Sequence, residues 1–272
     1  MIKGKKAIDV WMQHPTKRFI NHPMLSSLRR WNHEEVGKEV EPPSLETTIT
    51  AMQQAQVEKG LICSWQNQEG VLISNAEVAD FVNQFPDHLV GIASVPLHQP
   101  VPALKELRNY VKNYGFKGLR IVQWHWKLPP THAYYYPLLA ECVELDIPVC
   151  LQVGHTGPLM PSETGRPIPY IDQIALDFPD LKIVCGHIGY PWTTEMIAVA
   201  TKHPNVFIDT SAYTTRRYPE ELVTYIKKHG QNKVMFGSNY PMISPAKCLE
   251  HLEDLQLEEV VLDKFLYENA LK

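Results

Sequence analysis

Eight short apolar runs, rich in β-branched residues, recur along the chain and alternate with amphipathic, helix-like segments. The runs are AIDVWM (7–12), LICSW (61–65), LVGIASV (89–95), GLRIV (118–122), PVCLQV (148–153), LKIVCG (181–186), NVFIDTS (205–211) and KVMFGS (233–238). Continuous apolar runs are typical of parallel strands that are covered on both faces. Eight uninterrupted β/α alternations predict an α/β fold, a single (β/α)8 TIM barrel over residues 1–272. A doubly wound open sheet is the alternative, but no G-x-G-x-x-G or P-loop follows any run.

The longest interruption of this pattern is the segment 14–43, which follows the first run and contains four prolines. In a barrel, such an insertion after strand one would lie over the mouth as a lid or a wall. The next segment, LETTITAMQQAQVEK, lies between Ser44 and Gly60. A serine before and a glycine after an amphipathic stretch predict a helix over 45–59 with an N-cap and a C-terminal glycine.

The composition argues against nucleic acid and membranes as partners. The formal net charge is -4, and the chain carries no block of Lys and Arg, which basic binding surfaces require. No apolar run approaches the roughly 18 residues of a membrane span, and the N-terminus lacks a signal-type apolar region, so we expect a cytoplasmic protein. The five cysteines are odd in number and form no C-x-x-C, which favours reduced core thiols over a disulfide frame.

Two histidines follow apolar strands at the positions where a barrel enzyme carries its reactive groups. His155 lies in QVGHTG and His187 in CGHIG, each next to glycine immediately past a strand. The carboxyl ends of barrel strands form the active-site face. A histidine there can act as an acid or base, bind substrate or ligate a metal. Two such histidines on neighbouring strands favour a functional role over loop residues that merely cap the barrel.

Several motifs, in order and at barrel spacing, resemble the amidohydrolase-related enzymes. This branch contains aminocarboxymuconate-semialdehyde decarboxylase and related aromatic-acid decarboxylases and hydrolases. IDVWMQHP resembles the family's strand-one I-D-x-H-x-H-x-x-P, and FGSNYPM resembles its strand-eight F-G-[ST]-D-Y-P. GFKGLRIV, CGHIGYPW, NVFIDTSAY and FLYENALK resemble its strands four, six and seven and its final helix. The resemblance implies an enzyme of the decarboxylase or hydrolase type and a homodimer.

The resemblance also implies a metal site, and here the chain departs from the family. The family's metal ligands are two strand-one histidines, the strand-five histidine and the strand-eight aspartate, and these positions read Trp11, Gln13, His155 and Asn239. One imidazole and two amides make a poor site for a transition metal. His14 should point to the opposite face from Gln13. We therefore expect no cofactor; the alternative is Zn or Mn held by His155 and His187.

These observations predict a metal-independent acid/base enzyme, a decarboxylase or hydrolase, that acts on a small carboxylated and ring-bearing metabolite. His187 and His155 are the predicted catalytic residues. The predicted substrate-binding residues are Trp11, Gln13, Trp65, Arg120, Gln152, Arg166 and Asn239. One alternative is a metal-dependent amidohydrolase-type hydrolase or decarboxylase with unusual ligands. Another is a non-catalytic descendant that keeps the pocket to bind a ligand.

Overall fold

The computed structural model describes residues 4–33 and 35–272. Residues 1–3 and 34, which the domain prediction includes, lie outside the described residues. The strands in chain order are β1 Ala7–Met12, β2 Val57–Cys63, β3 Trp65–Asn67, β4 Gly70–Ile73, β5 Leu89–Ile92, β6 Leu119–Ile121, β7 Val149–Gln152, β8 Ile183–Gly186, β9 Val206–Asp209 and β10 Val234–Met235. The helices are α1 Lys17–Ile20, α2 Ser26–Trp31, α3 Leu45–Gln54, α4 Asn75–Gln84, α5 Pro100–Tyr114, α6 Gln123–Trp126, α7 Tyr136–Glu144, α8 Asp172–Asp177, α9 Thr193–Lys202, α10 Glu220–Lys227, α11 Pro245–Leu249 and α12 Glu259–Leu266.

Parallel pairing joins the barrel strands in the order that the sequence pattern predicts. β1, β2 and β5 form one run, and β6 to β10 form the other. Backbone bridges between Ala93 and Leu119 and between Met12 and Tyr240 connect the two runs. At the second junction the Asn239 N–H also donates to the Trp11 carbonyl oxygen at 2.8 Å. The strands thus close on themselves, and the predicted (β/α)8 barrel is confirmed.

Two local predictions around β2 are wrong. The helix begins at the predicted place, but α3 ends at Gln54, and Gly60 lies inside β2 rather than after a helix. A Cβ at Gly60 would approach the Sδ of Met12 to 2.6 Å, so close packing of β1 on β2 explains this glycine. Trp65 does not end β2 either. It begins the antiparallel hairpin β3–β4, which the apolar run did not distinguish from the strand.

The insertion after β1 packs against the carboxyl-end loops of the barrel. The hydroxyl of Ser27 donates to the Gly157 carbonyl oxygen at 2.8 Å, which fixes α2 to the loop after β7. The hydroxyl of Thr16 donates to the Leu72 carbonyl oxygen at 2.6 Å, and the Phe19 ring packs edge-on to Trp65 at 5.0 Å. This placement is that of a wall at the barrel mouth.

All five cysteines are buried free thiols, as the sequence predicts. Among the helices of the described residues, none combines the length and the apolar character needed to cross a membrane.

Candidate active site

His187 lies directly after β8 and is held by a neighbouring strand. Its Nδ1 is 2.7 Å from the Oγ of Ser211, which follows β9. The ring of Trp11 packs against the imidazole at 5.1 Å between centroids. Burial, together with smaller effects of the charges of Arg120 and His155, lowers the pKa of His187 to about 3. His187 is therefore neutral at neutral pH.

The backbone at this edge adopts a conformation that non-glycine residues avoid. His187 has a φ of 73°, and Ile188, Ala212 and Asn239 also have positive φ values, of 53°, 67° and 71°. These residues follow β8, β9 and β10. A left-handed backbone conformation costs energy at a non-glycine residue, and residues that adopt it tend to cluster at functional sites. The carboxyl edge of these three strands therefore has the local strain expected of a reactive site.

His155 follows β7, the strand next to β8. Its backbone N–H donates to the Tyr190 carbonyl oxygen at 2.7 Å, and its Nδ1 is 3.5 Å from the hydroxyl of Tyr213. The side chain is half-buried. The structure thus brings the two predicted catalytic histidines to one edge, with His155 at the rim and His187 more deeply buried.

Arg120 and Trp11 lie below this edge, inside the barrel. Each is only 1% exposed, and the Cζ of Arg120 is 3.9 Å from the centroid of the Trp11 ring. The terminal nitrogens of Arg120 donate to the carbonyl oxygens of Met12 and Val10 at 3.2 and 3.3 Å. The sequence predicts a carboxylate clamp at Arg120 and a substrate wall at Trp11. A substrate could reach neither side chain without displacing packed neighbours.

Gln13 is fully buried, and its amide is already paired. Its Nε2 donates to the Tyr240 carbonyl oxygen at 2.5 Å and to the Oδ1 of Asn239 at 3.3 Å. Its Oε1 accepts from the indole N–H of Trp65 at 3.2 Å. Gln13 therefore binds two other predicted substrate-binding residues, Asn239 across the junction of β1 and β10 and Trp65 at the start of β3. Among these three, Asn239 is partly exposed.

The remaining predicted binding residues also have protein partners. The Oε1 of Gln152 accepts from the indole N–H of Trp124 at 3.0 Å, and Gln152 is buried. Arg166 pairs with Glu195 on α9 at 3.4 Å, and its side chain is 43% exposed. Trp124 in turn lines a cavity of about 100 Å³ between the insertion, the hairpin and α6. The cavity is lined by His22, Met24, Asn67, Gln68, Glu69, Trp124, His125, Lys127 and Met160.

Two buried carboxyl groups, those of Asp9 and Asp209, are not among the predicted catalytic or substrate-binding residues. Asp9 accepts from the backbone N–H of Trp11 at 3.1 Å and of Ser238 at 2.9 Å. Burial raises its pKa to about 7. Burial also raises the pKa of Asp209 to about 6, although hydrogen bonds from Ser211 and the charge of Arg120 oppose the shift. The sequence feature that could have identified these two residues is an acidic residue inside an apolar run, such as Asp9 in IDVW.

Solved structures with this fold include metal-containing enzymes. An uncharacterised TIM-barrel protein from Bordetella bronchiseptica superposes with a TM-score of 0.83 at 23% identity, over 98% of this chain and 97% of that one. The 5-carboxyvanillate decarboxylase of Novosphingobium aromaticivorans superposes with a TM-score of 0.74 at 17% identity, over 100% and 97% of the two chains. That structure holds manganese.

The bound manganese overturns the expectation that a protein of this kind has no cofactor, and the alternative expectation of Zn or Mn fits these structures. The residues of this chain nevertheless do not reproduce the family's ligand set. Within residues 4–33 and 35–272, no group of three or more His, Cys, Asp or Glu is placed to hold a metal ion. Trp11 and the paired amide of Gln13 occupy the strand-one positions. His14 faces the other way and binds the hydroxyl of Thr48 at 2.8 Å. We therefore assign no chemical step to a metal.

Similarity to known proteins and to a family model shows which family the chain belongs to. It is 30% identical over 171 residues to a 2-keto-4-carboxy-3-hexenedioate hydratase from Sphingobium sp., covering 51% of this chain and only about half, 50%, of that protein. It is 22% identical to a γ-resorcylate decarboxylase from Polaromonas sp., over 83% of this chain and 82% of that protein. The model of the amidohydrolase family (Amidohydro_2) matches residues 56–272 and so begins after β1. This match confirms the resemblance to an enzyme family that the motifs indicate: the chain belongs to the amidohydrolase family.

Proposed function

We propose that the protein moves a proton to or from a carbon atom of a small carboxylated, ring-bearing acid, in the first place as a decarboxylase. The observation that supports this most directly is the position of His187. It is neutral and buried at the carboxyl ends of the strands, and Ser211 holds one of its ring nitrogens. The γ-resorcylate decarboxylase to which the chain is similar over most of its length supports the reaction type.

In decarboxylation, the bond between the ring carbon and the carboxyl carbon breaks and its electron pair stays on the ring carbon. That carbon must gain a proton as CO2 leaves. His187 first accepts a proton from an acidic group of the substrate and then delivers it to the carbon. Because burial lowers the pKa of His187, the neutral imidazole is the form present at neutral pH, and it can act as the base that takes up this proton transiently.

We assign to His155 a contact with the carboxylate of the substrate, and its half-buried position at the same edge supports this role. The cavity beside Trp124 has polar groups of Lys127, Asn67 and Gln68 in its lining, but neither His155 nor His187 lines it. Binding roles for the partly exposed Asn239 and Arg166 stay predictions.

A second candidate reaction is hydration of a carbon–carbon double bond in a conjugated acid. The 30% identity to a hydratase over half of the chain favours it. In that reaction water is split over two carbons, and His187 would deliver the proton to one while hydroxide joins the other. Both candidates need the same proton carrier.

The test is turnover of γ-resorcylate, 5-carboxyvanillate and 2-keto-4-carboxy-3-hexenedioate, each with and without added Mn²⁺, since a related structure holds manganese. Release of CO2 or loss of the conjugated absorbance reports the reaction. We expect His187→Asn to lower kcat by about 100- to 10,000-fold, the usual contribution of a positioned acid or base. His229→Asn is the matched control, because His229 is exposed.

Wild-type rates in His187→Asn would contradict the role of His187. No turnover of the three acids by the wild-type protein, under either metal condition, would contradict the substrate class. The family resemblance also implies a homodimer, and light scattering coupled to size-exclusion chromatography measures it directly.

A further inference from the structure

The cavity beside Trp124 has its own set of polar groups, separate from the two candidate catalytic histidines. Its volume is about 100 Å³, which is room for a few waters or for a molecule of about five or six heavy atoms. His22 of the insertion, His125 on α6 and Lys127 after α6 are in its lining. His125 is only 4% exposed, and its Nε2 has no hydrogen-bond partner within residues 4–33 and 35–272.

The backbone determines which ring nitrogen of His125 carries the proton. Nδ1 lies 2.9 Å from the carbonyl oxygen of Gln66, and a carbonyl oxygen can only accept a hydrogen bond, so Nδ1 carries the proton. Burial lowers the pKa of His125 to about 4, and the imidazole is therefore neutral at neutral pH. Nε2 then has a lone pair. A buried acceptor without a donor is unfavourable, and a ligand with a hydroxyl group can supply that donor.

The imidazole of His125 is also held in place by its neighbours. It packs against the rings of Trp124 and Trp65, with distances of 4.1 and 5.0 Å between centroids. These two contacts and the hydrogen bond to Gln66 restrict the rotation of the ring. Nε2 is therefore a preorganised acceptor, and a ligand does not have to order it on binding.

His22 has the opposite tautomer. Its Nδ1 accepts from the backbone N–H of Met24 at 3.3 Å, so the ring proton is on Nε2. This Nε2 is 3.6 Å from the Oε2 of Glu69, whose side chain is 81% exposed in the turn of the hairpin. Lys127 adds an exposed ammonium group. The cavity thus combines an acceptor on His125 with a neutral donor and a cationic donor.

We propose that this cavity binds a small hydroxycarboxylate, whose hydroxyl donates to the Nε2 of His125 and whose carboxylate accepts from Lys127 and the Nε2 of His22. The carboxylate of the ligand replaces Glu69 beside His22, since an ion pair at such exposure contributes little. A metal ion suits the cavity less well, because the Nε2 of His22 carries a proton instead of a free lone pair. The binding site does not depend on the proposed function.

The test is nitrogen NMR of histidine-labelled protein titrated with glycolate or lactate, with His125→Asn used to assign the signals. We expect both acids to shift the Nε2 signal of His125. Propionate, which has the carbon chain of lactate without the hydroxyl, should leave this signal unchanged. Lactamide, which lacks the negative charge, should bind about 10-fold more weakly than lactate, because hydrogen bonds to charged groups are the stronger ones.

Variants of exposed residues test the charges of the site without disturbing the core. Lys127→Met should weaken lactate binding by about 10-fold, measured by calorimetry. Glu69→Gln should strengthen it, because a competing carboxylate is removed. Lys105→Met is the matched control: Lys105 is an exposed lysine on α5 and is not in the lining of the cavity, so lactate binding should not change.

Two results would overturn the proposal: no shift of the His125 signal by either hydroxy acid, or equal binding of propionate and lactate. Unchanged lactate affinity in Lys127→Met would do the same. The calorimetric comparison of lactate with propionate uses the wild-type protein, so it holds even if His125→Asn does not fold. None of these measurements requires turnover, so a failed decarboxylase assay and a failed binding test are distinguishable.

Discussion

The guanidinium of Arg120 lies 3.9 Å from the centre of the Trp11 ring, and both side chains are buried inside the barrel. A buried charge of this kind needs compensation, and the nearby carboxyl group of Asp209 and two carbonyl oxygens of β1 provide it. Arg120 is thus part of the barrel interior.

The first prediction concerns this buried charge. Arg120→Met should lower the free energy of unfolding by about 3–5 kcal/mol at pH 7, because it leaves Asp209 uncompensated. Urea unfolding measures the loss. Arg18→Ala removes an exposed pair with Glu77 and should cost about 1 kcal/mol or less. Equal losses in the two variants would show that Arg120 has no special role in the interior.

The second prediction concerns Asp9, whose pKa is raised to about 7 by burial. Because the folded state binds this proton more tightly than the unfolded chain does, its stabilising effect is present at low pH and is lost as the pH rises through 7. Asp9→Asn should therefore raise the thermal unfolding midpoint at pH 8 by at least about 3 °C. At pH 5 the effect should be smaller. An equal shift at both pH values would contradict the raised pKa.

The third prediction concerns His14, which lowers the stability of the protein at acidic pH, whereas Asp9 lowers it at higher pH. Burial lowers the pKa of His14 to about 4, although the nearby Glu46 opposes the shift. The unfolded chain then binds the proton more tightly, so stability is lost as the pH falls from about 6.5 towards 4. His14→Asn should reduce this acid sensitivity, measured as the change in unfolding midpoint between pH 7 and pH 4.5. The exposed His229→Asn variant should keep the wild-type profile.

The fourth prediction tests the alignment of β1 and β10 with the family's metal positions. The triple variant Trp11→His, Gln13→His, Asn239→Asp should bind Mn²⁺ more tightly than the wild-type protein, as measured by calorimetry. It should also be less stable, because truncating a buried tryptophan typically costs about 3–5 kcal/mol. Identical Mn²⁺ binding in the two proteins would count against the alignment.

The barrel and the two histidines were predictable from the sequence because both depend on local patterns. An apolar run with a histidine and a glycine at its end gives the position of His155 and His187 without any knowledge of partners. The surroundings of Arg120 were not predictable in this way. Arg120 has the same position in the sequence of β6 whether its side chain faces the mouth or the interior. Only its contact with Trp11, a residue far away in the sequence, shows that the side chain is buried inside the barrel.

The hydrogen-bond partners of Gln13 and Asn239 were not predictable from the sequence either. Gln13 and Asn239 have the chemistry of substrate ligands, yet they pair with each other across the barrel junction, and Gln13 also accepts from Trp65. These contacts join residues more than 50 positions apart in the chain, so no local pattern reports them. The prediction that Gly60 ends a helix failed for a related reason. The sequence alone does not distinguish a glycine that ends a helix from a glycine in a strand that makes room for a packed methionine.

The barrel junction beside Trp11 has a consequence for how the chain can be divided. β1 lies between β2 and the short β10, while the family match begins only at residue 56. A fragment cut at that boundary would leave the backbone N–H and C=O groups of β2 unpaired along an open edge. Open edges recruit other strands, so such a fragment should associate with itself rather than remain a monomer.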